Sequence, residues 1–522
     1  MLEFKYLLFQ SFIAVLIVSG CAAGDNGTST DAKTYPNIIY VLADDLGIGD
    51  VGAFNPECMI KTPYLDQMAN EGMMFTDAHT SSSVCTPTRY GILTGRYNWR
   101  SGIKSGVLYG EDDALIKQDR TTIPKLLKNA DYYSAFIGKW HLGWNWGRDE
   151  DGEIDFSKPV EHNPNDIGFD YTFGHVASLD MEPYVYLEND KVTAIPTDSI
   201  EGESSYRFYR KGRIAPDFDM EQVTPTFFEK SIDFVKEQSK TENPFFLYLA
   251  LPSPHTPILP LEEWKGKSGL NPYGDFVMMI DYYMGQLLSS LEELGIEDNT
   301  MVVFTSDNGC SPMAKFEVLE EKGHDPSYIY RGHKADIFEG GHRVPFIVKW
   351  PKKVKENSYS DKTICTTDFF ATCADIIGQK LNENEGVDSY SMLPLLKEDG
   401  EFERISTIHS SINGSFAIRE GVWKLNLCPG SGGWSDPRPE EAREKDLPIV
   451  QLYNLESDPS ETNNVYADHP AMVLGLYNKL MKIIRDGRST EGAVQQNDNN
   501  KYGEEWGQIV RLEDLRSFVQ VL

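Results

Sequence analysis

Continuous apolar runs of strand length, separated by stretches with helical periodicity, indicate the fold class of this chain. Residues 37–42 read Asn-Ile-Ile-Tyr-Val-Leu, and residues 244–251 and 300–305 are of the same kind. Because their apolar residues are consecutive rather than alternating, each run is typical of a strand buried on both faces of a sheet. Residues 275–294 have apolar positions at helical spacing, and Gly295 follows as a stop signal. We therefore predict an α/β fold with a mainly parallel central sheet sandwiched by helices.

The pattern changes near residue 400, which divides the folded part into two predicted domains. Residues 35–400 carry the α/β pattern, and residues 401–522 are predicted to form a smaller C-terminal antiparallel α+β subdomain. The subdomain is predicted from three short strand-like runs and one amphipathic helix, at residues 416–419, 422–427, 451–455 and 471–485. The stretch 429–448 is rich in Gly, Pro and charge, which is typical of a surface loop.

The N-terminus carries export signals. An apolar run at residues 7–18 is too short for a comfortable membrane span and has the size of a signal-peptide core, so residues 1–20 are predicted to be a signal peptide. The Val-Ser-Gly-Cys sequence that ends at Cys21 resembles a bacterial lipobox, in which that cysteine is lipidated. Residues 21–34 then form a polar tether. We expect a lipid anchor in the bacterial cell envelope, on the periplasmic or the outer face of the outer membrane. The alternative is a plain signal peptide cut near Ala23.

The chain is strongly acidic, which limits its partners. It has 49 Lys plus Arg and 80 Asp plus Glu among 522 residues, for a formal net charge of −31. A field of this sign repels nucleic acid, so DNA and RNA are not expected as partners. It also repels a polyanionic substrate unless the binding cleft is locally basic.

The seven cysteines do not form a recognisable framework. Without Cys21 and Cys85, which have other predicted roles, five remain, and their spacing fits neither a zinc site nor a dense disulfide scaffold. The interpretation from the residues is that most are free buried thiols. Whether Cys365 and Cys373 pair is left open.

Clustered oxygen ligands follow two of the predicted strands. Residues 44–47 read Asp-Asp-Leu-Gly after the first strand, and residues 306–309 read Ser-Asp-Asn-Gly after the strand at 300–305. Sites in α/β sheets form outside the carboxyl ends of the strands. Three carboxylates and an amide held together repel one another unless a cation lies among them, and all-oxygen ligation suits Ca²⁺ or Mg²⁺ rather than zinc. Ca²⁺ is favoured because it accepts many protein oxygens. The alternative is a pair of ordinary turns.

A longer motif lies at residues 83–96, which read Ser-Val-Cys-Thr-Pro-Thr-Arg-Tyr-Gly-Ile-Leu-Thr-Gly-Arg. Pro87 fits the first turn of a helix, with Cys85 near the positive N-terminus and Arg89 about one turn later. Here the chain resembles the formylglycine-dependent sulfatases of the alkaline phosphatase superfamily, whose modification motif is Cys-x-Pro-x-Arg followed by Leu-Thr-Gly-Arg. Further blocks of that family occur in the expected order at residues 44–47, 138–143, 253–257, 306–309, 331–334, 339–345, 452–455 and 458–461.

The resemblance implies an alkaline phosphatase-like fold, with residues 35–400 as the catalytic domain of a sulfatase. It implies that a formylglycine-generating enzyme converts Cys85 to an aldehyde, which hydrates to a geminal diol. One diol oxygen attacks sulfur, and the second hydroxyl then loses its proton and expels sulfate. Arg89 steadies the formylglycine and its charge. The implied ligands of one Ca²⁺ per chain are Asp44, Asp45, Asp307, Asn308 and the modified Cys85.

The resemblance also implies the substrate contacts. Lys139 and Lys334 pair with sulfate oxygens, as cations around an oxyanion do. His141 takes the second diol proton, and His255 is the acid or charge partner at the leaving oxygen. Ser178 falls near a sulfate-contacting serine of the family. The implied substrate is a sulfated oligo- or polysaccharide, in polysaccharide degradation.

Three alternative hypotheses for the function remain. A phosphonate or phosphodiester hydrolase of the same superfamily can carry the same motif, because phosphodiesters resemble sulfate monoesters in charge and shape. A surface lipoprotein that binds glycans without cutting them is the second reading. A eukaryotic lysosomal or secreted sulfatase is the third, with glycosylation sequons at Asn26 and Asn413. The segment 168–213, rich in Tyr, Asp and Glu, is predicted to line sugar subsites.

Overall fold

The computed structural model describes residues 35–499 and 507–521. The predicted signal peptide and tether, with Cys21, lie outside the described residues. From Tyr35 onward the chain forms one compact unit, and the boundary near residue 400 stays a prediction. In the part that the structure describes, none of the helices combines the length and the apolar composition needed to cross a bilayer.

Eighteen strands are described. In chain order they are β1 Asn37–Asp44, β2 Met73–Phe75, β3 Ala78–His79, β4 Tyr133–Lys139, β5 Tyr171–His175, β6 Leu187–Glu188, β7 Lys191–Val192, β8 Asp198–Ile200, β9 Gly212–Ile214, β10 Phe245–Pro254, β11 Thr300–Ser306, β12 Phe346–Lys349, β13 Ser358–Ser360, β14 Ile364–Cys365, β15 Thr407–Ser410, β16 Phe416–Glu420, β17 Trp423–Asn426 and β18 Gln451–Asn454.

Twelve α-helices are described, besides short 3₁₀ turns. They are α1 Pro63–Asn70, α2 Cys85–Thr94, α3 Ile123–Leu127, α4 Val223–Gln238, α5 Pro272–Glu293, α6 Phe316–Glu320, α7 Glu339–His342, α8 Phe369–Ile377, α9 Leu393–Lys397, α10 Pro439–Glu444, α11 Pro470–Asp486 and α12 Gly507–Val521.

The main sheet has ten strands in the order β13-β2-β12-β11-β1-β10-β4-β5-β6-β7. The central strands from β11 to β5 all run parallel to their neighbours. The antiparallel pairs of this sheet lie towards its margins, where β12 pairs with β11 and β2, and where β6 and β7 follow β5. The predicted mainly parallel central sheet is confirmed, and its carboxyl ends share one edge.

Helices cover both faces of this sheet. All of β10 is buried, and residues 38–43 of β1 have no exposed surface, as the continuous apolar runs predict. Helices α4 and α5 pack on each other and on β10. Helix α8 packs with α2 and α3, and its Phe369 ring lies 4.4 Å from the Tyr40 ring of β1.

Helix α5 begins three residues before the predicted start at residue 275. The Asn271 side chain accepts hydrogen bonds from the backbone N–H groups of Tyr273, at 3.0 Å, and Gly274, at 3.2 Å. Pro272 occupies the first helical turn, where its missing N–H costs nothing. The apolar periodicity alone does not reveal this polar cap.

The C-terminal region contains a separate antiparallel sheet in the order β15-β16-β17-β18, and α11 packs on β16 and β17. Its apolar core also includes Tyr97 and Trp99 from the N-terminal part of the chain. The predicted surface loop at 429–448 is wrong in part. Helix α10 forms within it, and residues 431, 434 and 435 form hydrogen bonds with Asp336 and Ile337. Cys58, Cys85, Cys310, Cys365, Cys373 and Cys428 are free thiols.

Candidate functional site

The carboxyl ends of the five parallel strands deliver most of the predicted site residues to one edge of the sheet. Each residue either ends its strand or follows within a few positions, as expected for an α/β sheet. Asp44 and Asp45 come at the end of β1, Lys139 and His141 at β4, Ser178 after β5, His255 after β10, and Asp307 with Asn308 after β11. All of these side chains are buried.

Helix α2 supplies Cys85 and Arg89. Cys85 is the first residue of the helix, and Pro87 lies in the first turn, where the backbone N–H groups have no helical partner. Gly95 ends the helix with φ at 60°, and a Cβ there would lie 2.7 Å from the Phe370 side chain. Glycine is therefore required where the chain turns back against α8. The predicted positions of Cys85 and Arg89 on one helix are confirmed.

Arg89 joins carboxylates from two strands. Its Nε and Nη2 donate to Asp307 Oδ2 at 3.0 and 2.8 Å, and Nη2 also donates to Asp44 Oδ2 at 3.1 Å. Its Nη1 donates to the Lys139 carbonyl at 2.7 Å. The guanidinium thus uses its planar set of donors to hold three strand ends together.

Asp45 lies on the other side of the cluster and contacts two partners. Lys334 Nζ lies 2.7 Å from Asp45 Oδ1 and 2.9 Å from Oδ2. The Asn308 amide Nδ2 donates to Asp45 Oδ1 at 2.7 Å. Lys334 comes from the loop between α6 and α7, and the fold brings it to Asp45 across 289 residues of sequence.

A third line of contacts links Lys139 to His255. The Lys139 ammonium pairs with Asp44 Oδ2 and lies 3.0 Å from Ser178 Oγ. Ser178 Oγ is in turn 3.2 Å from His255 Nε2, and that nitrogen is 3.7 Å from Asp45 Oδ2. Predicted sulfate-contacting and acid–base groups therefore surround the acidic cluster.

His141 lies in the same region but is held by backbone groups. Its Nε2 contacts the Leu108 carbonyl at 2.8 Å, while Nδ1 is buried without a hydrogen-bond partner in the described part of the chain. Thr86 Oγ1 donates to the His141 carbonyl at 2.9 Å and accepts from the Leu108 N–H at 3.2 Å. The sequence does not indicate Leu108, because a backbone carbonyl leaves no signal in residue type, and Thr86 lies inside the Cys85 motif with no role assigned to its hydroxyl.

Opposing charges set the ionisation of the cluster. Burial opposes ionisation of Asp44, but Lys139, His255 and Arg89 outweigh it and hold the pKa of this carboxyl well below its usual value. Burial also opposes the charge of Lys334, yet Asp45 outweighs it and raises the pKa of the ammonium. Burial raises the pKa of the Cys85 thiol to about 11, against the opposite influence of Lys139 and Lys334. An unmodified Cys85 is therefore neutral at physiological pH.

The donor set at this edge fits a metal ion. Asp44, Asp45 and His255 each offer one ligand atom within 4.8 Å of the others. Asp44 Oδ1 and Asn308 Oδ1 are buried and accept no hydrogen bond within residues 35–499 and 507–521. Buried oxygens without donors are costly, and a cation removes that cost. The cluster is thus built for a hard cation that oxygen atoms bind.

A second group of possible ligands, His79, His342 and His409, is unsuited to metal. The rings of His342 and His409 stack at 3.9 Å with an interplanar angle of 4°, so their in-plane lone pairs cannot converge on one ion. The ammonium of Lys424 lies 3.0 Å from His342 Nε2. This buried group serves packing between the main body and the C-terminal sheet.

Comparisons with known proteins agree with this geometry. A family model described as Sulfatase matches residues 36–379. The chain is 33% identical to an N-acetylgalactosamine-6-O-sulfatase of Bacteroides thetaiotaomicron over 90% of this chain and 97% of that protein. It is 30% identical to an N-acetylgalactosamine-6-sulfatase of Rattus norvegicus over 83% of each chain.

A solved structure from the glycosaminoglycan metabolism of Bacteroides thetaiotaomicron is also similar. It has 31% sequence identity and a TM-score of 0.76, and the match covers 86% of this chain and 99% of that one. The relatives are named as sulfatases, and their family uses a metal ion, for which the buried oxygens of this site are suited. The chain therefore belongs to the sulfatase family, and it is a sulfuric ester hydrolase.

Proposed function

We propose that this sulfatase acts through Cys85 oxidised to formylglycine, with Ca²⁺ bound beside it. The observation that carries the proposal is that the helix beginning at Cys85 is attached to the acidic cluster: Arg89, one turn later, donates to Asp44, Asp307 and the Lys139 carbonyl. The neutral, buried thiol is a poor nucleophile in its own right. The Cys-x-Pro-x-Arg motif at residues 85–89 supports its oxidation by a formylglycine-generating enzyme.

The formylglycine hydrate supplies two hydroxyl groups on one carbon, so that sulfate taken up by one oxygen leaves when the other loses its proton. Lys139, Lys334 and Ser178 bind the sulfate oxygens and neutralise their charge. The hydrogen bonds of Arg89 to Asp44 and Asp307 hold the acidic cluster in place. An unmodified Ser or Cys at this position lacks the second hydroxyl and would keep the sulfate.

Two histidines move the protons. The unpartnered Nδ1 of His141 is free to accept the proton of the second hydroxyl, because its other ring nitrogen is engaged by the Leu108 carbonyl. His255, whose Nε2 lies 3.2 Å from Ser178 Oγ, acts as the acid that gives a proton to the departing alcohol oxygen.

Asp44, Asp45, Asp307 and Asn308 are the proposed Ca²⁺ ligands. When bound, the ion lowers the cost of ionising the nucleophile and neutralises charge on the sulfuryl group. Ca²⁺ is favoured over Mg²⁺ because these side chains offer several carboxylate and amide oxygens at one place, and Mg²⁺ keeps more of its water.

The proposed substrate is a glycan that carries 6-O-sulfated N-acetylgalactosamine, as the names of the relatives suggest. In the segment 168–213, Arg210 is the side chain best suited to contact it. Its Nη1 donates to the Asp180 carbonyl at 3.2 Å and pairs with the Asp180 carboxylate, while the side chain stays 43% exposed. Asp180 follows Ser178 by two residues, so this cation lies close to the sulfate pocket.

The proposed location is the bacterial cell envelope, with a lipid anchor at Cys21. Residues 18–21 support this, and membrane fractionation tests it. We expect the native chain in the detergent-soluble membrane fraction and a Cys21→Ala variant in the aqueous fraction. Recovery of both proteins in the aqueous fraction contradicts the anchor.

The test of the catalytic proposal combines mass spectrometry with turnover. We expect the peptide that contains residue 85 to carry an aldehyde, and the protein to release inorganic sulfate from N-acetylgalactosamine 6-sulfate. Cys85→Ala should abolish release, whereas Cys58→Ala, which changes a partly buried thiol elsewhere, should retain it. Undiminished sulfate release by Cys85→Ala, or full activity with an unmodified thiol, overturns the proposal.

A further inference from the structure

A loop from the C-terminal region is attached to the segment that carries Lys334. Asp336, two residues beyond Lys334, is fully buried, and its Oδ1 accepts hydrogen bonds from the backbone N–H groups of Trp434 at 2.8 Å and Ser435 at 3.0 Å. A buried carboxylate that accepts two N–H groups fixes a loop firmly, because its removal would leave the loop amides without partners. The loop is thus tied to the site.

Close backbone packing adds to this attachment. A Cβ on Gly433 would lie 2.4 Å from the Ala335 carbonyl oxygen and 2.5 Å from Asp336 Oδ1, so only glycine fits between them. The Ile337 N–H donates to the Ser431 carbonyl at 2.8 Å. The two segments therefore approach as closely as backbones can.

The same loop carries a partly exposed tryptophan, Trp434. Trp434 is 38% exposed although it lies on a loop held at both sides, and Arg438 Nε donates to its carbonyl at 3.0 Å. A partly exposed indole offers a large, rigid apolar face that a ligand can cover. Because Gly433 touches Ala335, the Trp434 backbone lies roughly 10 Å from that of Lys334.

That separation points to a particular occupant. The Lys334 ammonium lies 2.7 Å from Asp45, so the sulfate group of the proposed substrate lies at the far end of this lysine side chain. The sugar ring next to the sulfated one is the part of the substrate that can approach the Trp434 loop, because the sulfated ring itself is held at Lys334. The C–H face of a pyranose is apolar and packs on an aromatic ring, whereas the charged ester does not.

We infer that Trp434 is a sugar-stacking platform for the pyranose adjacent to the sulfated residue of the glycan. The inference rests on the proposed function and extends it, because it gives the C-terminal region a part in substrate binding. Asp336 and Gly433 act as positioning residues that hold the indole at the rim of the pocket. The platform distinguishes a chain of sugars from an isolated sulfated sugar.

The test compares three substrates: 4-nitrophenyl sulfate, N-acetylgalactosamine 6-sulfate, and a tetrasaccharide from chondroitin 6-sulfate. For Trp434→Ala we expect KM for the tetrasaccharide to rise about ten-fold, with kcat unchanged, because one stacking contact is lost. Turnover of the two small substrates should stay at the level of the unchanged protein, which also shows that the variant folds. Trp434→Phe should restore most of the tetrasaccharide affinity.

Two further variants control the result. Gly433→Ala, which forces the loop away from Ala335, should raise the tetrasaccharide KM as Trp434→Ala does. Tyr359→Ala removes an aromatic ring that is 71% exposed on β13, and it should change none of the three activities. An unaltered tetrasaccharide KM in Trp434→Ala, or an equal rise for all three substrates, overturns the inference. Absence of turnover of every substrate by the unchanged protein contradicts the proposed function instead.

Discussion

Arg89 places two nitrogens on a single oxygen of Asp307, with Nε at 3.0 Å and Nη2 at 2.8 Å from Oδ2. The other carboxylate oxygen, Oδ1, is left to accept the Asp45 N–H at 3.3 Å. One oxygen of the Asp307 carboxylate therefore binds the Arg89 guanidinium of α2, and the other binds the backbone of the loop after β1. The acidic cluster therefore depends on the shape of the guanidinium as well as on its charge.

We predict that Arg89→Lys loses both stability and activity, although the substitution keeps the positive charge. A lysine ammonium cannot reach Asp307, Asp44 and the Lys139 carbonyl together, so a buried carboxylate loses its partner. We expect a loss of about 3 kcal/mol in unfolding free energy and no detectable sulfate release. Chemical denaturation measures the first. Arg207→Lys, at an ion pair whose arginine side chain is 45% exposed, should change neither by a measurable amount.

Ca²⁺ should raise the thermal unfolding temperature of the protein. An ion that binds only the folded state adds about 2.7 kcal/mol when it is present at one hundred times its Kd. Scanning calorimetry before and after chelation measures this increment, independently of activity. Asn308→Ala should remove most of the Ca²⁺-dependent increment, and Mg²⁺ should produce a smaller one in the unchanged protein. An equal increment in the variant would contradict the ligand assignment.

His255→Ala should discriminate between leaving groups. The nitrophenolate of 4-nitrophenyl sulfate departs without a proton, whereas a sugar alkoxide needs one, so the loss of an acid affects the sugar substrate most. We expect kcat to fall about 100-fold for N-acetylgalactosamine 6-sulfate and by much less for the aryl sulfate. Steady-state kinetics on both substrates measures the ratio, and equal losses would show that His255 has another role.

Arg210→Ala should weaken binding of the anionic glycan. The exposed guanidinium is held by Asp180 beside the sulfate pocket, and its removal leaves the acidic surface to repel the substrate. We expect KM for a sulfated oligosaccharide to rise about ten-fold at low salt, and by less at high salt. Lys211→Ala, whose side chain is 65% exposed and pairs with Glu201, serves as the control and should have little effect. A salt-independent change would argue against a charge contact.

Asp281 should make the stability depend on pH. Burial raises the pKa of this carboxyl to about 7, although it accepts backbone N–H groups of Tyr64 and Leu65 in α1. Its folded pKa lies above its unfolded value of 3.8, so its contribution is complete below pH 4 and is lost as the pH rises through 7. Asp281→Asn should gain on the order of 4 kcal/mol relative to the unchanged protein between pH 4 and pH 8. A parallel pH profile for both proteins would contradict the shifted pKa.

The strand ends are the part of the site that sequence patterns predict well. Asp44, Asp45, Asp307 and Asn308 follow continuous apolar runs, and parallel strands bring their carboxyl ends to one edge. The motif around Cys85 and Arg89 likewise implies a helix start, which α2 confirms. These features are local, because hydrophobic periodicity and turn residues act over a few positions.

Other parts of the site depend on contacts that no local pattern contains. The Leu108 carbonyl that engages His141 has no residue-type signal, and the stretch around Trp434 has the composition of an ordinary surface loop. Asn271 likewise starts α5 earlier than its apolar spacing indicates. In each case a polar side chain forms a hydrogen bond with a backbone group, and residue type does not reveal such a partner.

By itself the sequence determined the buried strands β1, β10 and β11 and the helix at Cys85, because burial and turn propensity are properties of neighbouring residues, and its family motifs indicated the side chains of the site. Only the tertiary structure decided that Lys334 reaches Asp45 from 289 residues away and that Gly433 packs on Ala335. The physical reason is that the order of strands in the sheet and the docking of the C-terminal loop follow from close packing of the whole chain, in which each contact is set by the shapes of segments far apart in sequence.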